Sequence, residues 1–590
     1  MSFSVPAEPL TKQQRTIFVC VAFVCAATRF LAMARSLWDW DEALFMLGMR
    51  GYDVTQHHPH PPGFPVYIAV AKALRLVIPS DFRALQAVNL IAGMLVFPAV
   101  YLFARELRLR FTPAVMAAAL FAFFPNVWFF GGGAFSDLPS IVLVLFAVTF
   151  MLRGARDRND YWLGTFLLAL AIGIRPQNLL LGLIPGIYAT RKRRPLEIAV
   201  ALLIGVVVVG AAFGGAVYAT GSWNGYMRAV AEHGDYIARI DSWRSPERPP
   251  MWRLFDRFFI KQYQSPSLSI LASIFVVISI AGGIRERSRP LLWNVLIFGP
   301  FAIFAWMMLD RFSISRFSIG YQPMFAVFAA DGILRAAGQR DRVAAAIAAA
   351  LIAAFAIYTL PALTPVRNED APPVVATRAV LTDVDPRHDR LFVGHTMSKF
   401  VDLLVPGFPY TRVLDDRAMP LTGEDRPAWL LAEITETAPT GLVFRRERGH
   451  LWNISRRHYF EVELQPLDAR PRFVSGWYAP ESMGNDEWRW MGGRAVLLLP
   501  PARGRTMLRI QLGIPAEVMP RSPAVTVKLN GRVVDQFHTT DGAVDRDYRV
   551  APAPRGLPNV LELSIDRTVT PKDDGRELGL RLRALCWGPA

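Results

Sequence analysis

Long apolar runs separated by clusters of arginine constrain this chain more than any other feature. Between residues 15 and 362 the sequence breaks into apolar segments, and about 20 such residues are enough for a helix to cross a bilayer. Eleven membrane-spanning segments are predicted: 16–34, 86–104, 112–130, 137–153, 161–174, 177–190, 196–218, 267–284, 291–309, 317–335 and 343–362. The chain is therefore expected to contain a polytopic α-helical membrane domain over residues 1–362.

The formal charge of +16 is concentrated in short basic clusters between these segments. The clusters lie at residues 105–110, 153–158, 191–194, 285–289 and 335–342. Positive charge placed in this way marks cytoplasmic loops. The soluble part of the sequence has no basic face interleaved with aromatic residues, which argues against nucleic-acid binding.

These clusters also predict the orientation of the chain. The apolar stretch 161–190 is interrupted at residues 175–178, and only a hairpin of two short helices keeps the cluster at 191–194 on the cytoplasmic side. The apolar segment 63–79 contains Lys72 and Arg75 and is predicted to be an interfacial helix. The first segment is expected to be a retained anchor, in a multi-pass protein of the bacterial inner membrane with a periplasmic C-terminal domain.

The C-terminal part has the composition of a soluble protein. Prolines mark a linker at the start of residues 363–440, where a small α/β segment with a strand at 391–393 is predicted. Residues 441–590 alternate between apolar and polar positions, and Asn530-Gly531 is a strong hairpin signal. An antiparallel β-sandwich is expected there. The three cysteines have no spacing typical of a disulfide framework or a zinc site.

Acidic residues and histidines are concentrated in the first outer loop. Asp39, Asp41 and Glu42 follow the first apolar segment, and His57, His58 and His60 precede the interfacial helix. Asp41 could simply cap a helix that starts at Glu42, and the neighbouring tryptophans could belong to an interfacial belt. The histidines could bind a metal, but the intervening prolines break any regular ligand spacing.

Two further polar positions lie at the outer ends of predicted spans. Ser136 and Asp137 follow a run of glycines, where either residue could cap the next helix. Arg175 lies at the tip of the two short helices, below the lipid surface, where it needs an anion. That anion could be a lipid phosphate, or the carboxylate of Asp137 or Asp41.

The order of these motifs resembles that of GT-C glycosyltransferases, in the bacterial branch of protein O-mannosyltransferase-like and lipid A aminoarabinose transferase-like enzymes. The resemblance rests on Asp41-Glu42, His60-Pro61-Pro62, Ser136 to Pro139, Arg175-Pro176, and the late segment 316–323. It implies transfer of a sugar from a polyprenyl-phosphate donor to a glycolipid, polysaccharide or protein of the cell envelope, on the periplasmic face. No cofactor is required by this chemistry, although some relatives bind a divalent cation.

The resemblance also implies roles for particular residues. Asp41 corresponds to the base, with Glu42 and Asp137 as further catalytic residues. The predicted ligands of the donor phosphate are His58, His60, Arg175 and Arg316. The predicted contacts to the rest of the substrate are Gln177, Tyr226 and Tyr321. His60 stands where some relatives have lysine, and histidine carries charge only when its pKa is raised.

Two other functions compete with sugar transfer. A transporter or flippase of lipid-linked sugars should carry broken helices in both halves of an internal repeat, whereas the sequence shows one break, at 174–178. A non-catalytic glycan-binding membrane protein would use the C-terminal module, which resembles a carbohydrate-binding module. Its Trp477, Trp488 and Trp490 could stack on sugar rings or belong to the core.

Overall fold

The computed structural model describes most of the chain. The described residues are 9–240, 242–245, 250–260, 262–263, 265–308, 314–421, 426–434, 441–446, 461–467, 470–554 and 556–589. They divide into two compact units, the first ending at Asp370 and the second beginning at Ala371.

The first unit is helical. Its α-helices are α1 (Lys12–Arg29), α2 (Trp40–Arg50), α3 (Pro65–Arg75), α4 (Asp81–Glu106), α5 (Phe111–Phe123), α6 (Pro125–Phe130), α7 (Asp137–Arg153), α8 (Arg158–Ile174), α9 (Leu179–Thr190), α10 (Pro195–Thr220), α11 (Trp223–Ile240), α12 (Met251–Phe255), α13 (Pro266–Arg285), α14 (Arg289–Met308), α15 (Ile314–Phe317), α16 (Gln322–Ala336) and α17 (Asp341–Asn368). Helices thus occupy every predicted membrane segment. Among the described residues, six helical stretches are long and apolar enough to cross a membrane, and they contain α1, α4, α10, α13, α14 and α17. The total of eleven spans stays a prediction.

The break between α8 and α9 follows from one residue pair. Pro176 has no backbone N–H and disfavours a helical conformation at the residue before it. Arg175 accordingly is extended, with φ −144° and ψ 113°. Asn178 then stabilises the break, since its Nδ2 donates to the Ser140 Oγ at 2.7 Å and to the Ala171 carbonyl at 2.6 Å. The helix therefore ends where the sequence predicted.

Small residues allow the helices of this unit to approach closely, as is common in membrane helix packing. A Cβ at Gly332 in α16 would lie 1.8 Å from the Phe275 carbonyl oxygen in α13. A Cβ at Gly164 in α8 would lie 2.7 Å from the Met151 nitrogen in α7. These glycines hold the neighbouring helices at backbone contact, and the resulting bundle supports the polar site at one end.

The second unit begins with α18 (Pro372–Asp383) and α19 (His395–Leu404), which accompany a mixed sheet. Its strands are β1 (Arg390–Gly394), β2 (Thr411–Val413), β3 (Ala428–Glu433), β4 (Leu442–Arg445) and β5 (Glu461–Pro466). In the described residues the strand order is β2-β1-β3-β5-β4, with β1 parallel to β2 and β3. Because β4 and β5 complete this sheet, the α/β segment continues past the predicted boundary at residue 440.

The rest of the second unit is an antiparallel sheet. Its strands are β6 (Arg472–Met483), β7 (Asp486–Leu499), β8 (Thr506–Gly513), β9 (Ala524–Leu529), β10 (Arg532–His538), β11 (Ala543–Val550), β12 (Asn559–Ile565) and β13 (Arg581–Pro589). The order is β10-β9-β12-β7-β13-β8-β11, and β6 also pairs with β7. The antiparallel character is as predicted. The described strands form one hydrogen-bonded path around a shared core rather than two separate sheets, because long β7 pairs with both β12 and β13.

Trp477, Trp488 and Trp490 are half-buried, and each has contacts within this unit. The Trp477 indole donates to the Val496 carbonyl at 2.9 Å. The Trp488 indole donates to Glu481 at 3.0 Å, and the Arg581 guanidinium lies over the rings of Trp488 and Trp490 at 5.4 and 5.3 Å. Arg581 thus covers one face of both rings, and both interpretations of these tryptophans stay predictions.

Candidate active site

The start of α2 determines which acidic residue of the first loop is available. The Asp39 side chain caps this helix and accepts from the Asp41 nitrogen at 2.9 Å, and Glu42 completes the capping box. Such a cap satisfies N–H groups that have no partner within the helix. Asp41, considered above as a cap, is therefore not the capping residue and directs its carboxylate elsewhere.

Arg316 is the centre of the site. It is 6% exposed, and its Nη2 donates to the Asp41 carboxylate. Its Nε lies 3.7 Å from the Asp137 Oδ2, and its Nη1 lies 3.9 Å from the Asp39 Oδ1. Burial opposes the charge of Arg316, but Asp41, Asp137 and Asp39 together outweigh burial and raise its pKa above the ordinary value. Arg316 therefore stays charged.

Arg175 extends this arrangement to the break between α8 and α9. Its Nη2 lies 2.9 Å from the Asp137 Oδ1, and both its Nε and Nη2 donate to the Ser136 Oγ at 3.1 Å. Of the two carboxylates considered for Arg175, the one that it contacts is Asp137. Together, two arginines and three carboxylates form one cluster, which we call the Arg316 cluster: Asp39, Asp41, Asp137, Arg175 and Arg316.

Aromatic rings surround the two guanidinium groups. Phe135 and Phe317 each lie 5.2 Å from the Arg316 guanidinium carbon. Phe64 lies 5.6 Å from that of Arg175. Rings at these distances attract cations and keep water away, so ion pairs inside the cluster are stronger than pairs in solvent.

Two buried polar atoms of the Arg316 cluster lack a hydrogen-bond partner among the described residues. Within the described residues, neither the Arg316 Nε nor the Asp137 Oδ2 makes a hydrogen bond. Asp137 and Arg175 also line a small open cleft, whose other walls include Phe301 and Phe317. Buried polar groups ordinarily find partners, so these atoms have unused capacity for a bound group.

Glu42 is fully engaged with backbone groups. Its Oε2 accepts from the Trp38 and Asp39 nitrogens at 2.6 and 2.9 Å, and its Oε1 accepts from the Ala134 nitrogen at 2.7 Å. Burial raises its pKa to about 7, although the three backbone N–H groups act in the opposite direction. Glu42 therefore joins the first loop to the glycine loop, 131–134, that precedes Asp137.

Two amides of α4 hold the same glycine loop. The Gln86 Nε2 donates to the Gly132 carbonyl at 2.7 Å, and the Asn89 Nδ2 donates to the Gly133 carbonyl at 2.8 Å. A Cβ at Gly132 would lie 1.6 Å from the Ala32 oxygen, so the loop packs directly on the end of the first helical stretch. The position of Asp137 depends on these contacts.

The predicted histidines form a packed aromatic group. The His60 ring lies 4.8 Å from Phe64 and 5.8 Å from His233, which α11 contributes. Burial lowers the pKa of His60 to about 3, partly offset by Asp41. A neutral imidazole does not supply the positive charge expected there. The backbone of His58 pairs with that of Asp53, at 2.7 and 2.9 Å, and closes the loop.

The remaining predicted residues are Tyr226, Tyr321 and Gln177. The Tyr226 hydroxyl donates to the Pro62 carbonyl at 2.8 Å. Tyr321 is buried, and its ring stacks on Phe258 at 5.5 Å. Gln177 is half-buried in the turn Pro176–Asn178. Tyr226 and Tyr321 thus have structural contacts, and their predicted roles toward substrate stay predictions.

A metal does not fit the described residues of this site. No group of three or more histidine, cysteine or acidic side chains suited to a metal occurs in the part of the chain that the structure describes. The carboxylates of Asp39, Asp41 and Asp137 instead surround a guanidinium.

Comparison with known proteins gives the fold a name. The structure of ArnT from Cupriavidus metallidurans bound to undecaprenyl phosphate superposes with a TM-score of 0.50 at 13% identity, covering 77% of this chain and 98% of ArnT. The chain has a GT-C fold. With its apolar helices, this fold makes it a multi-pass membrane protein.

One family profile and two further solved structures are also similar to this chain. Residues 57–215 match the family profile described as dolichyl-phosphate-mannose-protein mannosyltransferase. The apo state of the same ArnT gives a TM-score of 0.49 at 14% identity, covering 76% of this chain and 97% of ArnT. The arabinofuranosyltransferase AftD from Mycobacteria gives 0.48 at 11% identity, covering 99% of this chain and 59% of AftD. No curated protein sequence matches.

Proposed function

We propose that this GT-C chain is a glycosyltransferase that moves a sugar from a polyprenyl-phosphate donor to an acceptor hydroxyl of the cell envelope. The observation that carries the proposal is the placement of Arg316 between Asp41 and Asp137, with the Arg316 Nε and the Asp137 Oδ2 still without hydrogen bonds among the described residues. A base beside a buried cation is what displacement of a phosphate requires.

Arg316 and Arg175 would hold the donor phosphate. Each guanidinium has five N–H donors, of which the carboxylates occupy only some. We expect the phosphate to take the place of the Asp41 carboxylate at Arg316, with Arg175 on its other side. The profile match to dolichyl-phosphate-dependent enzymes and the undecaprenyl phosphate bound to ArnT support a polyprenyl phosphate as the ligand.

The lining of the cleft beside Arg175 has both the polar and the apolar side chains that such a donor would contact. Its polar wall, with Asp137 and Arg175, would face the phosphate, and its apolar wall, with Phe301 and Phe317, would face the isoprenoid tail. A lipid phosphate has the same division between a charged head and an apolar chain. Arg175, at the break after Ile174, would lie at this junction.

The proposed reaction is a single displacement. The acceptor oxygen forms a bond to the anomeric carbon while the bond from that carbon to the phosphate oxygen breaks, and polyprenyl phosphate leaves. The acceptor proton passes to the Asp41 carboxylate, which the arriving phosphate has released from Arg316. The arginines stabilise the negative charge that develops on the leaving phosphate. Attack opposite the leaving group inverts the anomeric carbon.

Glu42 has a different role in this proposal from the one that the resemblance implied. Its carboxylate is occupied by three backbone N–H groups. It therefore positions the loops that carry Asp41 and Asp137 and does not contact the reacting atoms. We further propose that the site opens on the periplasmic side of the inner membrane, where envelope acceptors are located.

The test uses the full-length protein in lipid nanodiscs. Asp41→Asn should lower the rate of sugar transfer by about 100-fold or more while undecaprenyl phosphate still binds. Asp331→Asn is the matched control. Asp331 also forms an ion pair with a largely buried arginine, Arg335, at 2.6 Å, but it lies outside the Arg316 cluster. This variant should leave transfer intact.

Two results would contradict the proposal. Transfer by Asp41→Asn at the wild-type rate would exclude Asp41 as the base. Movement of a lipid-linked sugar across the bilayer, without transfer to any acceptor by the wild-type protein, would favour a flippase. Mass analysis of envelope glycolipids from cells with and without the protein identifies the sugar and its acceptor.

A further inference from the structure

The segment between α10 and α13 carries exposed aromatic residues beside arginines. Trp223 is 64% exposed and Trp252 is 65% exposed, and Trp243 is 44% exposed. The Arg244 guanidinium carbon lies 5.2 Å from the Trp243 ring, and that of Arg253 lies 5.5 Å from the Trp252 ring. We call these five residues the aromatic–arginine belt. Large exposed apolar side chains in one segment indicate a surface that something covers.

The ends of two apolar helices fix the level of this belt. Nearly all of the α10 surface faces outward from the protein. Tyr218, in the last turn of this helix, is 88% exposed. Trp223 follows only two residues after Gly221 ends that helix. The Trp243 nitrogen donates to the Met307 carbonyl, at 2.7 Å, in the last turn of α14. Trp223 and Trp243 therefore lie beside the ends of two helices that are long and apolar enough to cross a membrane.

The surface of α11 has three different environments. On one side, Tyr226 is buried among neighbouring residues, and His233 contacts the His60 ring. Trp223 and Met227, one turn apart, form an exposed apolar stripe. A third stripe is polar and exposed, and it contains Asn224, Arg228, Glu232, Asp235 and Arg239. A helix that lies between protein and water is expected to have only a buried face and a polar face. The exposed apolar stripe of Trp223 and Met227 is therefore a third feature that requires an explanation.

From these observations we infer that the aromatic–arginine belt and the apolar stripe of α11 dock on the phospholipid headgroup layer of the membrane. Tryptophan and tyrosine prefer this layer, because one end of each ring system is apolar and the other is polar. Arginine beside an indole can bind lipid phosphate as a planar donor. The ligand is an anionic phospholipid headgroup.

Docking at this layer would also affect the loop of His60. The Tyr226 hydroxyl of α11 donates to the Pro62 carbonyl at 2.8 Å. The hydroxyl of Thr220, the last residue of α10, accepts from the Val54 nitrogen at 3.4 Å. Helix α11 thus carries the apolar stripe on one side and a contact with the site loop on the other. The membrane surface becomes part of what keeps that loop in place.

Depth-dependent fluorescence quenching tests the docking. The free cysteines Cys20, Cys25 and Cys586 are replaced by alanine, and Trp223→Cys, Trp252→Cys or Glu232→Cys is labelled with an environment-sensitive dye in phosphatidylcholine nanodiscs. Labels at positions 223 and 252 should be quenched by headgroup-level spin-labelled lipids about two-fold or more above the label at position 232. Equal quenching at all three positions would overturn the inference, as would quenching that rises with protein concentration, which indicates a second copy.

Lipid retention gives an independent measurement without the cysteine substitutions. Arg244→Gln with Arg253→Gln should reduce several-fold the phosphatidylglycerol that remains on the full-length protein in native mass spectrometry, relative to phosphatidylcholine. Arg228→Gln with Arg239→Gln, on the polar stripe of α11, is the matched control and should keep the wild-type ratio. An equal loss in both double variants would show that overall charge, and not the belt, holds the lipid.

Discussion

The Nη2 of Arg175 lies 2.9 Å from the Oδ1 of Asp137, while the other carboxylate oxygen of Asp137 faces Arg316 at 3.7 Å. One carboxylate thus stands between two buried arginines. Removing it would leave two positive charges close together with little solvent to screen them. Asp137 is therefore important for the stability of the site.

Replacement of Asp137 should destabilise the protein. Asp137→Asn leaves Arg175 and Arg316 buried with one fewer negative charge, which typically costs about 3–5 kcal/mol. The melting temperature of the protein in nanodiscs measures this change. Asp331→Asn, whose side chain is 20% exposed, should cost about 1 kcal/mol or less. Equal losses in the two variants would contradict the arrangement described.

The raised pKa of Glu42 predicts a pH dependence of stability. The folded chain binds the Glu42 proton up to a pH of about 7, whereas the ordinary pKa is 4.5. Between these values the folded state binds more protons than the unfolded state, so the free energy of unfolding decreases as pH rises. Glu42→Gln should remove this decrease. A wild-type melting temperature that rises through this range relative to Glu42→Gln would contradict the assignment.

The lowered pKa of His60 predicts a pH dependence of stability with the opposite sign. It also predicts that His60 does not contribute to the pH dependence of activity. His60 stays neutral in the folded protein down to a pH of about 3, so stability is lost as pH falls below the ordinary value of 6.5. His60→Asn should remove that loss. It should also leave the pH dependence of kcat/KM unchanged. If an ionisation between about pH 6 and pH 7 disappears in His60→Asn, the histidine titrates in the site after all.

A methyl group at Gly133 should disturb the glycine loop. The added Cβ would lie 2.7 Å from the Glu42 Oε1 and 2.8 Å from the Phe135 ring, and such overpacking costs about 1–3 kcal/mol. We expect Gly133→Ala to lower both the melting temperature and kcat, because Asp137 moves with the loop. Gly210→Ala in α10, which has open space around it, is the matched control. It should be neutral or slightly stabilising.

Much of the helical framework could be predicted from local patterns. The break at Arg175 followed from Pro176, and the hairpin at Asn530-Gly531 appears as the pairing of Leu529 with Arg532. Both features depend on the conformational preferences of one or two residues. The extent of the α/β segment could not be predicted from local patterns. It depends on the pairing of β5 with β3 and of β4 with β5, which are contacts between residues distant in sequence.

Several features of the site had no signal in the sequence. Asp39, and not Asp41, caps α2, and the choice depends on a backbone angle at one residue. His233 of α11 reaches the His60 ring through tertiary packing. Phe317 and Asn178 look like ordinary core and turn residues, yet Phe317 covers Arg316 and Asn178 holds the break beside Arg175. Only their three-dimensional surroundings give these residues a role.

The sequence by itself determined where the apolar helices lie and that Asp41, Asp137, Arg175 and Arg316 occur at helix ends. Hydrophobic length and the placement of positive charge are local properties, and they act on each segment independently. Tertiary structure decided which arginine meets which carboxylate, that Glu42 binds backbone groups, and that His60 is neutral. Such electrostatic relationships depend on separations of a few ångströms in a medium with little water, and sequence spacing does not encode those separations.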